Sequence, residues 1–261
     1  VFSVETDRVS MSVMEEDSVT LHTGVTTNQQ EKIRWYFNDI RIAHISGNQS
    51  KICTNDQCIE KFKDRLELYS HNGDLTITHI NTTDSGVYSL QIISNSIREK
   101  IFNVSVNDIS AAEHDNMKGK SVKKGQSVTL DPGKIKQQNY MMTWNLINMS
   151  ISEIIGNQSK VCTDDQCKER FRDRLKLDHQ TGSLTIMNTT TTDSGIYKLQ
   201  ISSSRFSIIR RFTVTVTNYR LRFSGVALLL CTEIVVIIYY WKYLPRLFSG
   251  QICTRRQSSN K

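Results

Sequence analysis

Residues 47–91 laid over residues 156–200 are identical at 28 of 45 positions with no gap. The same shift of 109 residues places Ser18-Val19-Thr20-Leu21 on Ser127-Val128-Thr129-Leu130 and Trp35 on Trp144. One added residue enters the last hairpin, after which Phe102-x-Val104-x-Val106 meets Phe212-x-Val214-x-Val216. Solenoid repeats run about 20–50 residues, so a period of 109 is a whole domain. Whatever fold one copy adopts, the other must adopt too. The 261 residues divide into residues 1–107, residues 108–217 and a C-terminal remainder.

Each copy reads as short strands. Val19 and Leu21 alternate with polar neighbours, as do Ile33, Trp35 and Phe37, then Leu66 and Leu68, Leu75 and Ile77, and Tyr88, Leu90 and Ile92. A period of two marks half-buried strands. Asn72-Gly73 and Thr181-Gly182 are turn signals between them. No long helix is expected before residue 223. The fold class is all-β: two tandem β-sandwiches.

Residues 223–241, FSGVALLLCTEIVVIIYYW, are strongly apolar, with Glu233 the single charge. At ~1.5 Å per residue such a helix reaches ~28 Å, enough to cross a bilayer core. Tyr239, Tyr240 and Trp241 close it as an interfacial belt. Lys242, Arg246, Arg255, Arg256 and Lys261 follow with no acid, against Arg220 and Arg222 before. The positive-inside bias predicts a single-pass type I protein of the plasma membrane. Its N-terminus would be extracellular, with a stalk at 218–222, a transmembrane helix at 223–241 and a basic cytoplasmic tail at 242–261. The six residues from Thr217 to Arg222, ~20 Å when extended at ~3.3 Å per residue, keep the second domain near the bilayer. The tail carries five of the seven net positive charges, which leaves too weak a field on the rest to steer a polyanion. No nucleic-acid partner is expected. Six sequons, at Asn48, Asn81, Asn103, Asn148, Asn157 and Asn188, all precede the span, in agreement with an extracellular location.

CTNDQC at 53–58 recurs as CTDDQC at 162–167. Two cysteines five apart could serve a metal, a redox couple or a staple. Zinc sites favour closer spacing and four ligands, and redox motifs are C-x-x-C. In an oxidising space strict duplication favours pairing within each copy, Cys53 with Cys58 and Cys162 with Cys167. The expectation is a short loop that rigidifies an edge hairpin and not the core. Cys231 falls in the span. Cys253 falls in the tail, where palmitoylation is conceivable. No catalytic motif is present, and the six histidines are scattered. Neither an enzyme nor a cofactor is expected.

The motifs resemble the immunoglobulin superfamily, variable type. They are Trp35 and Trp144 on a central strand, Asp84-Ser85-Gly86-Val87-Tyr88 and Asp193-Ser194-Gly195-Ile196-Tyr197, and Arg-Leu-x-Leu before Leu-Thr-Ile. The resemblance implies ion pairs Arg65–Asp84 and Arg174–Asp193, and a tyrosine corner at Tyr88 and Tyr197. It also implies a core holding Trp35, Tyr88, Leu90, Trp144, Tyr197 and Leu199. Leu90 and Leu199 stand where that pattern has a cysteine, and the partner position falls near Thr23 and Pro132. The usual inter-sheet disulfide is therefore absent.

Within that superfamily the chain is similar to the signalling lymphocyte activation molecule family and natural-killer-cell receptors. Their second domain is of constant type, whereas here it copies the first. The resemblance implies a receptor or adhesion protein. It would bind another immunoglobulin-like surface protein, in trans or as a second copy of itself, through the outer domain. The ligand face would hold Arg34, Tyr36, Arg41, His44, Gln91, Ile93, Glu99 and Ile101. Non-immune cell–cell adhesion is the alternative. Beyond the lipid bilayer, a membrane helper subunit with an intramembrane cation could pair with Glu233.

Overall fold

The computed structural model describes residues 6–26, 31–108, 119–133 and 140–218. In the first copy the strands are β1 (Thr6–Met14), β2 (Ser18–Leu21), β3 (Lys32–Phe37), β4 (Ile40–Ser46) and β5 (Gln49–Ile52). A short helix α1 (Asp56–Phe62) follows, then β6 (Leu66–Leu68), β7 (Leu75–Ile77), β8 (Gly86–Ile93) and β9 (Ile97–Asn107). Alternation becomes burial: Ile33, Trp35 and Phe37 of β3 are buried, and Arg34 and Tyr36 between them are half-buried. One layer is the six-stranded sheet β1-β9-β8-β3-β4-β5; β2, β7 and β6 form the facing layer. β1 runs parallel to β9 over its whole length, from Thr6↔Glu99 to Met14↔Asn107.

The second copy repeats the plan with β10 (Lys120–Lys123), β11 (Val128–Leu130), β12 (Met141–Leu146), β13 (Met149–Ile155) and β14 (Gln158–Val161). It continues with α2 (Asp165–Phe171), β15 (Leu175–Leu177), β16 (Leu184–Ile186), β17 (Gly195–Ser202) and β18 (Phe206–Thr217). The register of the central hairpin shifts at the same place in both copies, between Trp35 and Tyr36 and between Trp144 and Asn145. The extra residue, Ile42 or Ile151, turns into the core.

Leu90 lies beside Trp35 and Leu199 beside Trp144 on neighbouring strands, and all four are buried. The indole N–H groups donate to the Gly73 and Gly182 carbonyls at 2.8 Å. Both glycines have positive φ (+73° and +74°), and a Cβ there would run into Ile33 or Met142. Thr23, the other position where a cysteine would stand, is buried and donates its N–H to Asp74 Oδ1 at 2.8 Å. Apolar burial and hydrogen bonds thus occupy both ends of the absent bridge.

The two copies are not separate sandwiches. β10 covers only the C-terminal end of β18, from Lys120↔Val214 to Lys123↔Thr217. β2 of the first copy takes the exposed stretch beside it, from Phe206↔Leu21 to Ile209↔Ser18, antiparallel. The result is one nine-stranded sheet spanning both copies. Phe206 and Ile208 are buried next to Leu21 and Val19 on the ladder, so the two cores are continuous. An unpaired strand edge exposes backbone donors and acceptors, and this pairing satisfies them. The alternation of apolar residues did not predict it.

Candidate binding face

The duplicated cysteine loops are helical. Asn55 accepts a hydrogen bond from the Cys58 N–H at 2.9 Å, and Asp164 accepts from Cys167 at 2.7 Å. Each acts as an N-cap. Cys53 is bonded to Cys58 and Cys162 to Cys167, with Cα atoms 5.1 Å apart. Cys58 and Cys167 are buried, as are Phe62 and Phe171 one turn on. The expectation of a staple confined to the edge is corrected here. A helical turn points the second cysteine inward, so the bridge ties the outermost strand to the core.

At the lower end of each sandwich, Arg65 donates to both oxygens of Asp84 at 2.6 and 3.0 Å, and Arg174 to both of Asp193 at the same distances. The carboxylates are fully buried. Tyr88 and Tyr197 donate their hydroxyls to the carbonyls of Asp84 and Asp193 at 2.9 and 2.8 Å. Burial holds both phenols well above their usual range. It would also raise the Asp193 carboxyl, but the hydrogen bonds from Arg174 and the Thr190 N–H outweigh it and leave Asp193 low. The Asp84 bond in turn raises Arg65.

All eight residues of the expected ligand face lie on the six-stranded sheet of the first copy. They form two cross-strand rows. His44, Arg34, Gln91 and Glu99 stand side by side on β4, β3, β8 and β9. Arg41, Tyr36, Ser89 and Ile101 form the next row. Ile93 pairs with Lys32 and Ile97 beyond the first row. Arg41 is exposed, and the other seven predicted face residues are half-buried. Asn103 is exposed lower on β9 of the same sheet.

Sequence reasoning missed Lys51, Lys32 and Arg8. Lys51 pairs with His44 on β5, and Arg8 pairs with Ile101 on β1. β5 is exposed throughout and so has no alternation to betray its register. Lys32 was within reach, since it precedes Arg34 by the same period of two. Among the described residues no salt bridge joins Arg8, Lys32, Arg34, Arg41 or Lys51 to a carboxylate. His44 titrates below the ordinary imidazole value, through burial first and then the charges of Arg41, Lys51 and Arg34.

Of the sequon asparagines, Asn48, Asn103, Asn148, Asn157 and Asn188 are exposed. Asn81 is half-buried and caps a turn by accepting from the Thr83 N–H at 3.1 Å. The stalk beyond Asn218, the span at 223–241 with Glu233 and Cys231, and the tail with Cys253 lie outside the described residues. Among the described residues no helix is long and apolar enough to cross a membrane.

Sequence models of known families match both copies. The model described as an immunoglobulin domain matches residues 1–93, and that described as the immunoglobulin V-set domain matches residues 117–217. No curated protein matches the chain. Among solved structures, the first immunoglobulin-like domain of human CD48 antigen is 22% identical, with a TM-score of 0.34, covering 41% of this chain and 87% of that one. Murine CEACAM1b is 19% identical, with a TM-score of 0.30, covering 80% of this chain and 96% of that one. Immunoglobulin domains 1–5 of Sidekick-1 are 15% identical, with a TM-score of 0.30, covering 83% of this chain and 39% of that one. With matching sequence models on both copies, buried Trp35 and Trp144, and a tyrosine corner in each, the chain carries two immunoglobulin-like domains of all-β sandwich architecture.

Proposed function

We propose that the chain is a surface receptor or adhesion protein of the immune system, anchored by residues 223–241, whose first domain binds another immunoglobulin-like protein. The observation that carries this reading is the five-stranded outer face built by β9, β8, β3, β4 and β5. There Tyr36 and Arg34 sit at the centre, flanked by Ile93 and Ile101. Tyr and Arg are favoured anchors because they bring large contact area and directional donors together. A glycan on Asn103 would confine docking to the rows above it. The apolar segment with its single Glu233, the cations after it and the six sequons before it support a type I orientation at the plasma membrane. In that reading Glu233 meets a cation of a helper subunit within the bilayer.

The test is a binding screen. Cells displaying the full chain are probed with pentamerised ectodomains of immunoglobulin-like surface proteins, this chain's own included. Tyr36→Ala should reduce binding of any partner at least tenfold while leaving surface display unchanged. Loss of binding only on substitution in the second domain would reject the outer face. Unchanged co-precipitation of membrane proteins by Glu233→Leu would reject the helper subunit.

A further inference from the structure

The duplication supplies an internal control. The two copies share a core and a lower-end ion pair, yet their equivalent sheet faces have diverged. Arg34, Tyr36, Arg41 and His44 of the first copy correspond to Thr143, Asn145, Ser150 and Glu153 of the second. The divergence changes the electrostatics of one particular row. In the second copy Lys160 on β14 stands directly opposite Glu153 on β13, a complementary cross-strand pair. In the first copy the equivalent Lys51 stands opposite His44, and His44 opposite Arg34. Arg41 and Lys32 flank that row on adjacent positions. Cations crowded on one sheet face repel one another, and no described carboxylate forms a salt bridge with them. Fold stability does not ask for this arrangement, because the second copy builds the same sheet without it.

From this cation-rich row, whose one carboxylate, Glu99, stands beyond Gln91 at the β9 end and forms no salt bridge with the cations, we infer that the outer face of the first domain docks against an acidic face of a different protein and not against a second copy of itself. The inference rests on the reading of that face as a protein-docking surface. A two-fold contact whose axis passes through this row would place the same patch on both sides and bring the cluster of Arg34, Arg41 and Lys51 close to the same cluster of the other copy. Like charges juxtaposed across an interface disfavour association. A partner bearing carboxylates at this spacing would instead complete the ion pairs that the first copy lacks. Arg34 and Arg41 offer planar guanidinium forks for bidentate carboxylate contacts, while Tyr36 between them supplies apolar area.

Pentamerised immunoglobulin-like ectodomains with acidic, neutral and basic sheet faces, applied to cells displaying the full chain, form the test. A parallel arm mixes two populations of cells that both display it. Acidic-faced probes should bind, and binding should weaken as salt rises above about 0.15 M, where exposed charges are already screened beyond ~8 Å. Arg34→Glu with Arg41→Glu should lower binding more than tenfold, chiefly through slower association. Arg34→Lys with Arg41→Lys should keep most of it, and matching thermal unfolding of both variants would exclude a folding defect. The charge inference is overturned, and the docking surface kept, if the bound probe is neutral or basic, if the Glu variant binds an acidic probe as the native chain does, or if displaying cells adhere to one another through this face. If no probe of any charge binds, the docking-surface reading fails and takes the charge inference with it.

Discussion

Arg210 grips Asp17 across the junction of the two copies, donating from Nε at 2.9 Å and from Nη2 at 2.7 Å. Both side chains are almost fully buried, and the Arg210 Nη1 also donates to the Pro132 carbonyl. Asp17 further accepts from the Met14 N–H at 3.0 Å. The equivalents by position are Gln126 for Asp17 and Lys100 for Arg210, so the pair belongs to the junction and not to the repeat. Removing one partner of a buried pair strands the other charge and typically costs ~3–5 kcal/mol. Arg210→Met should therefore lower the unfolding free energy by about that much. Asp17→Asn combined with Arg210→Met should cost less than the sum of the two single changes. Urea titrations of the four forms decide it, and additive losses would sink the idea.

The same junction predicts the behaviour of an isolated first domain. Residues 1–107 alone leave β2 without its β18 partner and uncover Val19 and Leu21 beside the vacated positions of Phe206 and Ile208. An open strand edge above an apolar strip pairs with another chain. Size-exclusion chromatography with light scattering should find self-association that residues 1–217 do not show. A stable monomer of residues 1–107 would argue that the β2 edge needs no cover.

Much of the sandwich is legible in the sequence because strands such as β3 and β8 alternate strictly. Ile33, Trp35 and Phe37, or Tyr88, Leu90 and Ile92, tell both strand and face. The lower-end ion pairs and tyrosine corners were expected from the resemblance that the Asp-Ser-Gly-x-Tyr and Arg-Leu-x-Leu motifs carry, and not from alternation. The short helices were missed because seven residues hold too few turns for a 3.6 period to show; only Asn55 and Asp164 as capping residues signal them. The junction was missed for a different reason. Phe206 and Ile208 alternate as any strand does, and alternation names the buried face of a strand but not the strand beside it. On the ligand face, Arg34 and Tyr36 follow from Trp35 by parity, whereas Lys51 needs the register of β5, which a uniformly exposed strand does not encode.

The Cys53–Cys58 bridge closes a loop of six residues, for which chain entropy alone gives a stabilisation of about 2 kcal/mol. Cys58 is also buried against the core, so Cys58→Ser places a hydroxyl where an apolar sulfur packs. The variant should unfold at lower denaturant than Cys53→Ser, whose side chain is only half-buried. Equal losses from both would mean that the bridge acts through its loop only. Non-reducing peptide mapping should recover each pair within its own copy.

Asp193 predicts the acid limb of stability. Its folded pKa lies below the ordinary carboxylate value, held there by Arg174 and Thr190 against burial. A depressed carboxylate stabilises fully above its unfolded pKa of about 4 and loses that contribution as pH falls through the lower folded value. Asp74 is depressed as well, by His22 and the Thr23 N–H against the opposing effect of burial. Unfolding midpoints should thus hold steady down to about pH 5 as far as these carboxyls are concerned, then decline. Asp193→Asn should be less stable at neutral pH and show a shallower acid decline. An unchanged acid slope would assign the decline to other groups.

His44 gives a reading of the cationic row that requires no partner. Burial and the neighbouring Arg41, Lys51 and Arg34 all disfavour its protonated form, so its imidazole should titrate below about 6.5 by NMR. A base depressed in the folded state binds fewer protons than the unfolded chain between the two pKa values, so this site weakens folding as pH drops through that window. Arg41→Ala with Lys51→Ala should raise the midpoint, but only part of the way, because burial is the largest cause and remains. Added salt should act in the same direction. A midpoint at the ordinary value in the native chain, or one indifferent to removing both charges, would mean that solvent screens the row completely. The crowding of cations on β3, β4 and β5 would then exert no field at His44.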